Sequence, residues 1–176
     1  MDIQSITNIF PFQNRLRFFS LPDVRLIGKT LRHTNETSVT PIPLFWEEYF
    51  KKYHKTVEGL PQVVPTTVAW FSDYDSITKA YTYMVCSICP AGTPVPSGFE
   101  YRDVPSMLLG HGTTSDFPPP AHNIGRFAKE VESHGFVQGH VCCEFYPYDV
   151  KNSDVCCTLF TIYPKDINIR IAKKGR

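Results

Sequence analysis

Two parts of the chain repeat each other in order as well as in letters, and this limits the fold more than any other feature. Phe71-Ser72-Asp73-Tyr74-Asp75 matches Phe145-Tyr146-Pro147-Tyr148-Asp149, and Ile88-Cys89-Pro90 matches Ile162-Tyr163-Pro164 at the same offset. Upstream, Asp23-Val24 leading to Gly28 resembles Asp103-Val104 leading to Gly110, and Ile42 with Phe45 resembles Ile124 with Phe127. Each half then reads as strand, helix, strand, strand. The expectation is a single domain over residues 1–176, with module one at about 18–90 and module two at about 98–164, joined by the loop from Ala91 to Phe99. Duplicated modules commonly pack about a pseudo-twofold axis, and the seam between them is a natural concave site.

Hydrophobic periodicity supplies the elements. Ile42, Phe45, Trp46, Tyr49, Phe50 and Tyr53 recur at the spacings that share one helical face, after Thr40 as N-cap and Pro41 in the first turn. This predicts a helix over about 41 to 55. A second helix is carried by Ile124, Phe127, Ala128 and Val131, with Gly135 placed to end it in a left-handed conformation. Runs rich in β-branched and aromatic residues predict strands at Val24 to Arg32, Thr66 to Tyr74, Ala80 to Cys89, Tyr101 to Gly110, Gly139 to Tyr148 and Val155 to Tyr163. The short polar links Asp75 to Lys79 and Asp149 to Asp154 suit hairpins. The fold class is therefore α+β: a tandem strand-helix-strand-strand duplication forming an antiparallel sheet with two main helices.

Charge and motifs narrow the function. A formal net charge of +1 gives no field to gather phosphates, so nucleic acid is not an expected partner. No segment approaches the roughly 20 apolar residues that span a bilayer, and Met1 to Phe10 has no signal-peptide pattern, so the expectation is a cytoplasmic protein with no membrane partner and reduced cysteines. Cys86 and Cys89 have C-x-x-C spacing, but along a strand that spacing puts the two thiols on opposite faces. The adjacent pairs Cys142-Cys143 and Cys156-Cys157 read in the same way as small buried residues. With no compact histidine motif, P-loop, dinucleotide fingerprint or Gly-x-Ser-x-Gly elbow, no metal and no cofactor is expected.

Aromatic residues make up 14% of the chain, which favours either a dense core or an aromatic-lined pocket. Glu144 bears on that choice because it interrupts the strand-like Val141-Cys142-Cys143-Glu144-Phe145-Tyr146. It is either an exposed strand glutamate or a pocket carboxylate. Alternation puts His140, Cys142, Glu144, Tyr146 and Tyr148 on one face, opposite Val141, Cys143 and Phe145. The repeat makes Glu144 the counterpart of Trp70, so the expectation is that both point into the same central region. A carboxylate among aromatic rings suits a flat or greasy cation, since ring faces attract positive charge and the carboxylate neutralises it. Trp46, Tyr49 and Tyr53 either line that cleft or belong to the core, with Trp46 the best candidate for the cleft. Tyr81 and Tyr83 share a strand face and are open to the same two readings.

At these residues the chain resembles the GyrI-like small-molecule-binding domain. That domain is also the effector domain of multidrug-sensing regulators and occurs as stand-alone, cassette-encoded drug-binding proteins. The resemblance rests on Ile42-Pro43-Leu44-Phe45-Trp46, on Val68-Ala69-Trp70-Phe71-Ser72-Asp73-Tyr74, on Tyr81-Thr82-Tyr83 and on Cys143-Glu144-Phe145-Tyr146. It implies a small-molecule ligand and a ligand-site role for Glu144; with the residues read above, the candidate ligand-binding set is Glu144, Trp46, Trp70, Phe71, Tyr81, Tyr83 and Tyr146. It also implies two alternatives. One is hydrolysis of reactive cyclopropane-type electrophiles, with Glu144 activating water and a tyrosine such as Tyr83 polarising the electrophile. The other is a protein-interaction role such as gyrase inhibition. The regulators' separate DNA-binding helix-turn-helix has no counterpart expected in these 176 residues.

Overall fold

A computed structural model describes residues 3–8, 16–34, 41–113, 129–147 and 157–164. The β-branched and aromatic runs pair into one sheet of strands β1 (Ile3–Ser5), β2 (Arg17–Leu21), β3 (Val24–Thr34), β4 (Thr66–Ser72), β5 (Ala80–Pro90), β6 (Glu100–Val104), β7 (Met107–Thr113), β8 (Phe136–Pro147) and β9 (Cys157–Pro164). Their order is β1-β2-β7-β9-β8-β4-β5-β3-β6. On one side of the antiparallel β4–β8 pairing the strands run β4-β5-β3, and on the other β8-β9-β7, so the sheet repeats itself outward from its middle. This is the α+β antiparallel arrangement read from the repeat.

Two prolines close the sheet. Only Pro22 and Asp23 separate β2 from β3, and only Pro105 and Ser106 separate β6 from β7. The sequence predicts one strand from Tyr101 to Gly110, but Pro105 has no N–H to give to a ladder and the strand breaks there. The pairing nevertheless continues in register across both breaks: Leu21 lies opposite Met107, and beyond the prolines Val24 lies opposite Val104. The Ser106 N–H that faces this corner donates to Asp23 Oδ1 at 2.6 Å. Because β2 and β3 sit far apart in the strand order yet are nearly continuous in the chain, the sheet curls round on itself.

Curling gives the sheet an inside. Phe19, Leu21, Leu26, Val68, Trp70, Met84, Cys86, Ile88, Leu109, Cys143 and Phe145 form a single buried cluster there, drawn from strands across the whole sheet. Gly28 is required for this closeness: a Cβ at that position would lie 2.0 Å from the Val85 carbonyl oxygen and 2.6 Å from Cys86 Cα.

The outer face carries the helices. The predicted helix over 41 to 55 divides into α1 (Pro41–Lys52) and α2 (His54–Glu58) at Tyr53, whose φ of −120° leaves the helical path. The Tyr53 ring packs on Phe99, 5.7 Å between centroids, and lies under the Lys29 ammonium, which fixes this junction. Residues 129–133 are helical and end at Gly135 with φ +84°, the left-handed stop expected. Ile124, Phe127, Ala128, the Thr40 cap and the link from Asp149 to Asp154 lie outside the described residues. In the β4–β5 link, Asp75 Oδ1 accepts the N–H groups of Ile77 and Thr78, the local turn chemistry for which aspartate is suited. Strands β1 and β2 were not anticipated, their runs being too short for periodicity to register. Among the described residues no helix is long and apolar enough to cross a membrane.

Candidate functional site

The site lies on the outer face, under α1. Alternation sends odd-numbered residues of β3, β4 and β5, and even-numbered residues of β8, to this face. Leu31, Ala69, Phe71, Tyr81, Tyr83, Val85 and Tyr146 cluster here against Ile42, Phe45, Trp46, Tyr49 and Tyr53 of the helical segment. The second outer patch, beneath residues 129–133, gathers Phe18, Leu108, Val131, Phe136 and Ile162, with Cys142 packed against it. Cys142 and Tyr146 therefore belong to different patches, and Glu144 stands between them on β8. Just upstream, the β8–β9 register shifts between Gln138 and Cys142, an irregularity of the kind that re-aims side chains near functional sites.

Glu144 is half-buried and lies directly opposite Ala69, the smallest side chain on that face. Its Oε2 accepts a hydrogen bond from the Tyr146 hydroxyl at 2.7 Å. Burial pushes the Glu144 carboxyl above the ordinary carboxylate range, against the Tyr146 hydrogen bond, which pulls it down. No ion-pair partner for Glu144 occurs among the described residues. The Tyr81 phenol is raised as well, first by burial and then by the charge of Glu144.

The aromatic rings form a connected surround. The Trp46 indole N–H donates to the Tyr83 hydroxyl oxygen at 2.7 Å, and the same indole meets Tyr146 edge-on with centroids 4.9 Å apart. Phe71 packs T-shaped on Tyr83 at 4.9 Å and tilted on Tyr81 at 5.8 Å. His33, which the sequence did not single out, meets the other side of Tyr81 edge-on at 5.6 Å. Its alternation with Leu31 on β3 places it there, but a lone histidine in a long strand carries no signal of its own.

Six of the seven singled-out residues come together in this way: Glu144, Trp46, Phe71, Tyr81, Tyr83 and Tyr146. Trp70 does not. It pairs with Cys143, while Glu144 pairs with Ala69, and directly paired residues share a face, so Trp70 and Glu144 point to opposite sides of the sheet. Trp70 is 2% exposed and fills the inner core. The letter match is one residue out of step with the pairing, and a one-residue slip exchanges faces. Tyr49 is buried in the core, and Phe50, part of the helix stripe, is exposed although stacked on Trp46.

The cysteines separate as alternation requires. Cys86 and Cys143 face the inner core and Cys142 the outer patch. Burial raises the thiols of Cys86 and Cys89, the latter to about 11, which keeps both protonated and poorly nucleophilic.

No family model matches the chain, and no curated protein sequence matches it. Solved structures do. SAV2435 bound to tetraphenylphosphonium is 12% identical, with a TM-score of 0.57 over 87% of this chain and 95% of that one. The C-terminal domain of EcmrR is 12% identical, with a TM-score of 0.58 over 85% and 98%. An integron cassette protein from the mobile metagenome of Vibrio cholerae is 14% identical, with a TM-score of 0.50 over 84% and 95%. These neighbours carry the GyrI-like fold, and this chain shares that fold.

Proposed function

We propose that this chain binds a small, largely apolar aromatic cation on the outer face of its sheet, with Glu144 neutralising the charge and Trp46, Phe71, Tyr81 and Tyr146 supplying the walls. One observation carries the reading: a partly buried carboxylate at the edge of an aromatic cluster accepts one phenol hydrogen bond and has no ion-pair partner among the described residues. Placing such a group there costs stability, and a desolvated cation offsets that cost. Each ring face turned to the cation adds about 0.5–2 kcal/mol, and apolar burial adds the rest. The tetraphenylphosphonium complex of SAV2435 supports the ligand class, because that ion is a delocalised charge clothed in phenyl rings. A cytosolic setting agrees with the free thiols of Cys86 and Cys89.

Trp70 is not carried into this site, because it faces the inner core. For the hydrolytic alternative, the hydroxyl seated on Glu144 is that of Tyr146, whereas Tyr83 is 2% exposed and accepts the Trp46 N–H. No specific observation favours a Glu144–Tyr83 catalytic pair or a gyrase-directed surface.

The test is calorimetric titration of tetraphenylphosphonium into wild type and Glu144→Gln at pH 7.5. Saturable binding weakened tenfold or more by the substitution, a loss of at least about 1.4 kcal/mol, is the expected result. Equal affinities would remove Glu144 from the site.

A further inference from the structure

Tyr83 presents a puzzle within that site. Its ring is covered by Phe45 and Phe71, and it is 2% exposed, so a ligand on this face does not reach it directly. Yet its hydroxyl holds the one polar atom of the Trp46 side chain, at 2.7 Å. Trp46 is half-buried and ring-to-ring with Tyr146, and Tyr146 in turn holds the Glu144 carboxylate. The contacts therefore form one chain from buried Tyr83 through Trp46 and Tyr146 to the charge.

A tryptophan on a helix has two side-chain torsions and several staggered choices. Apolar packing limits these without selecting one, because an indole can slide on its neighbours at little cost. A single hydrogen bond from Nε1 to a fixed acceptor does select one. Tyr83 is a fixed acceptor: it lies in the middle of β5, paired with Phe71 on one side and Leu31 on the other.

We propose that Tyr83 is a positioning residue, which sets the angle of the Trp46 indole and through it the aromatic surface that Trp46 presents beside Tyr146 and Glu144. The proposal rests on the binding reading above, but it has a part that can be measured without ligand. Tyr83→Phe keeps the ring and removes the hydroxyl that accepts the Trp46 N–H. Trp46→Phe removes the donor.

In the absence of ligand, the fluorescence of Trp46 is obtained by difference, since Trp46→Phe leaves only the buried Trp70. Tyr83→Phe should increase acrylamide quenching of the Trp46 component about twofold or more and shift its emission to the red. In calorimetric titrations, Tyr83→Phe should weaken tetraphenylphosphonium binding by three- to tenfold in the Trp46 background and have no effect in the Trp46→Phe background. Equal weakening in both backgrounds, or in neither, overturns the positioning role. If the wild type fails to bind tetraphenylphosphonium, the binding reading falls. The quenching comparison then still decides the brace, and unchanged quenching in Tyr83→Phe overturns it.

Discussion

The two faces of this sheet are built from the same kinds of residue and do different work. The inner face gathers Trp70, Phe145, Met84 and Cys86 in a closed interior. The outer face, one residue away along each strand, carries Phe71, Tyr83 and Tyr146 beneath α1, with the Glu144 carboxylate held by the Tyr146 hydroxyl. Composition does not distinguish them, since both are aromatic-rich. Closure does: the inner face is sealed by the curl of the sheet itself, whereas the outer face is covered by separate helical segments that meet it along seams. A sealed interior excludes polar groups without partners, while a seam can hold a carboxylate for later use.

The largest test of this contrast is a pair of tryptophan truncations. Trp70→Ala should lower unfolding stability by about 3–5 kcal/mol, because it opens a cavity in a region that cannot collapse. Trp46→Ala should cost roughly half as much, since its ring is half-buried, and should affect cation binding far more than its stability loss implies. Urea unfolding and ligand titration on both proteins check this, and equal destabilisation would erase the distinction between the faces.

The closure itself can be loosened next. Asp23→Ala deletes the acceptor for the Ser106 N–H at the corner where both bent strands turn, and should cost about 1 kcal/mol, the usual value of such a bond. Ligand affinity should hardly change, as the corner serves the inner core. A stability loss near zero would mean that the prolines alone maintain the bend.

The pH dependence of stability gives the smallest effect and the sharpest sign. The Glu144 carboxyl is raised by burial in the folded state, so its protonated form is the one the fold favours. Its contribution is fully present below the ordinary glutamate value of about 4.3 and is lost as pH rises through the raised folded value. Relative to Glu144→Gln, the wild type should therefore lose stability as pH rises from about 4 toward neutrality, and the variant should be the more stable protein at pH 7. Urea midpoints across that range measure the difference. A wild type that gains on the variant with rising pH would show that Glu144 has a favourable partner.

Much of the fold can be read directly from particular residues. The helix stripe from Ile42 to Tyr53 predicts α1, and the alternation through Cys142, Glu144 and Tyr146 gives their shared face. Pro22 and Pro105 were visible, but their effect was not. A proline marks a break in hydrogen bonding, and only the partner strand shows whether pairing resumes beyond it in the same register. Likewise the match between Trp70 and Glu144 is genuine in the letters and misleading in space, because a sequence offset carries no information about which residues pair across β4 and β8.

The sequence by itself determined which side chains alternate together along each strand and helix, since the periods of 2 and 3.6 are properties of the local backbone. The tertiary structure alone decided which alternating set faced inward, because that depends on strand pairing between residues far apart in the chain and on the closure of the curled sheet. For Trp70 and Glu144 that decision separated two residues that the repeat had joined, leaving one as core and the other as the charge of the candidate site.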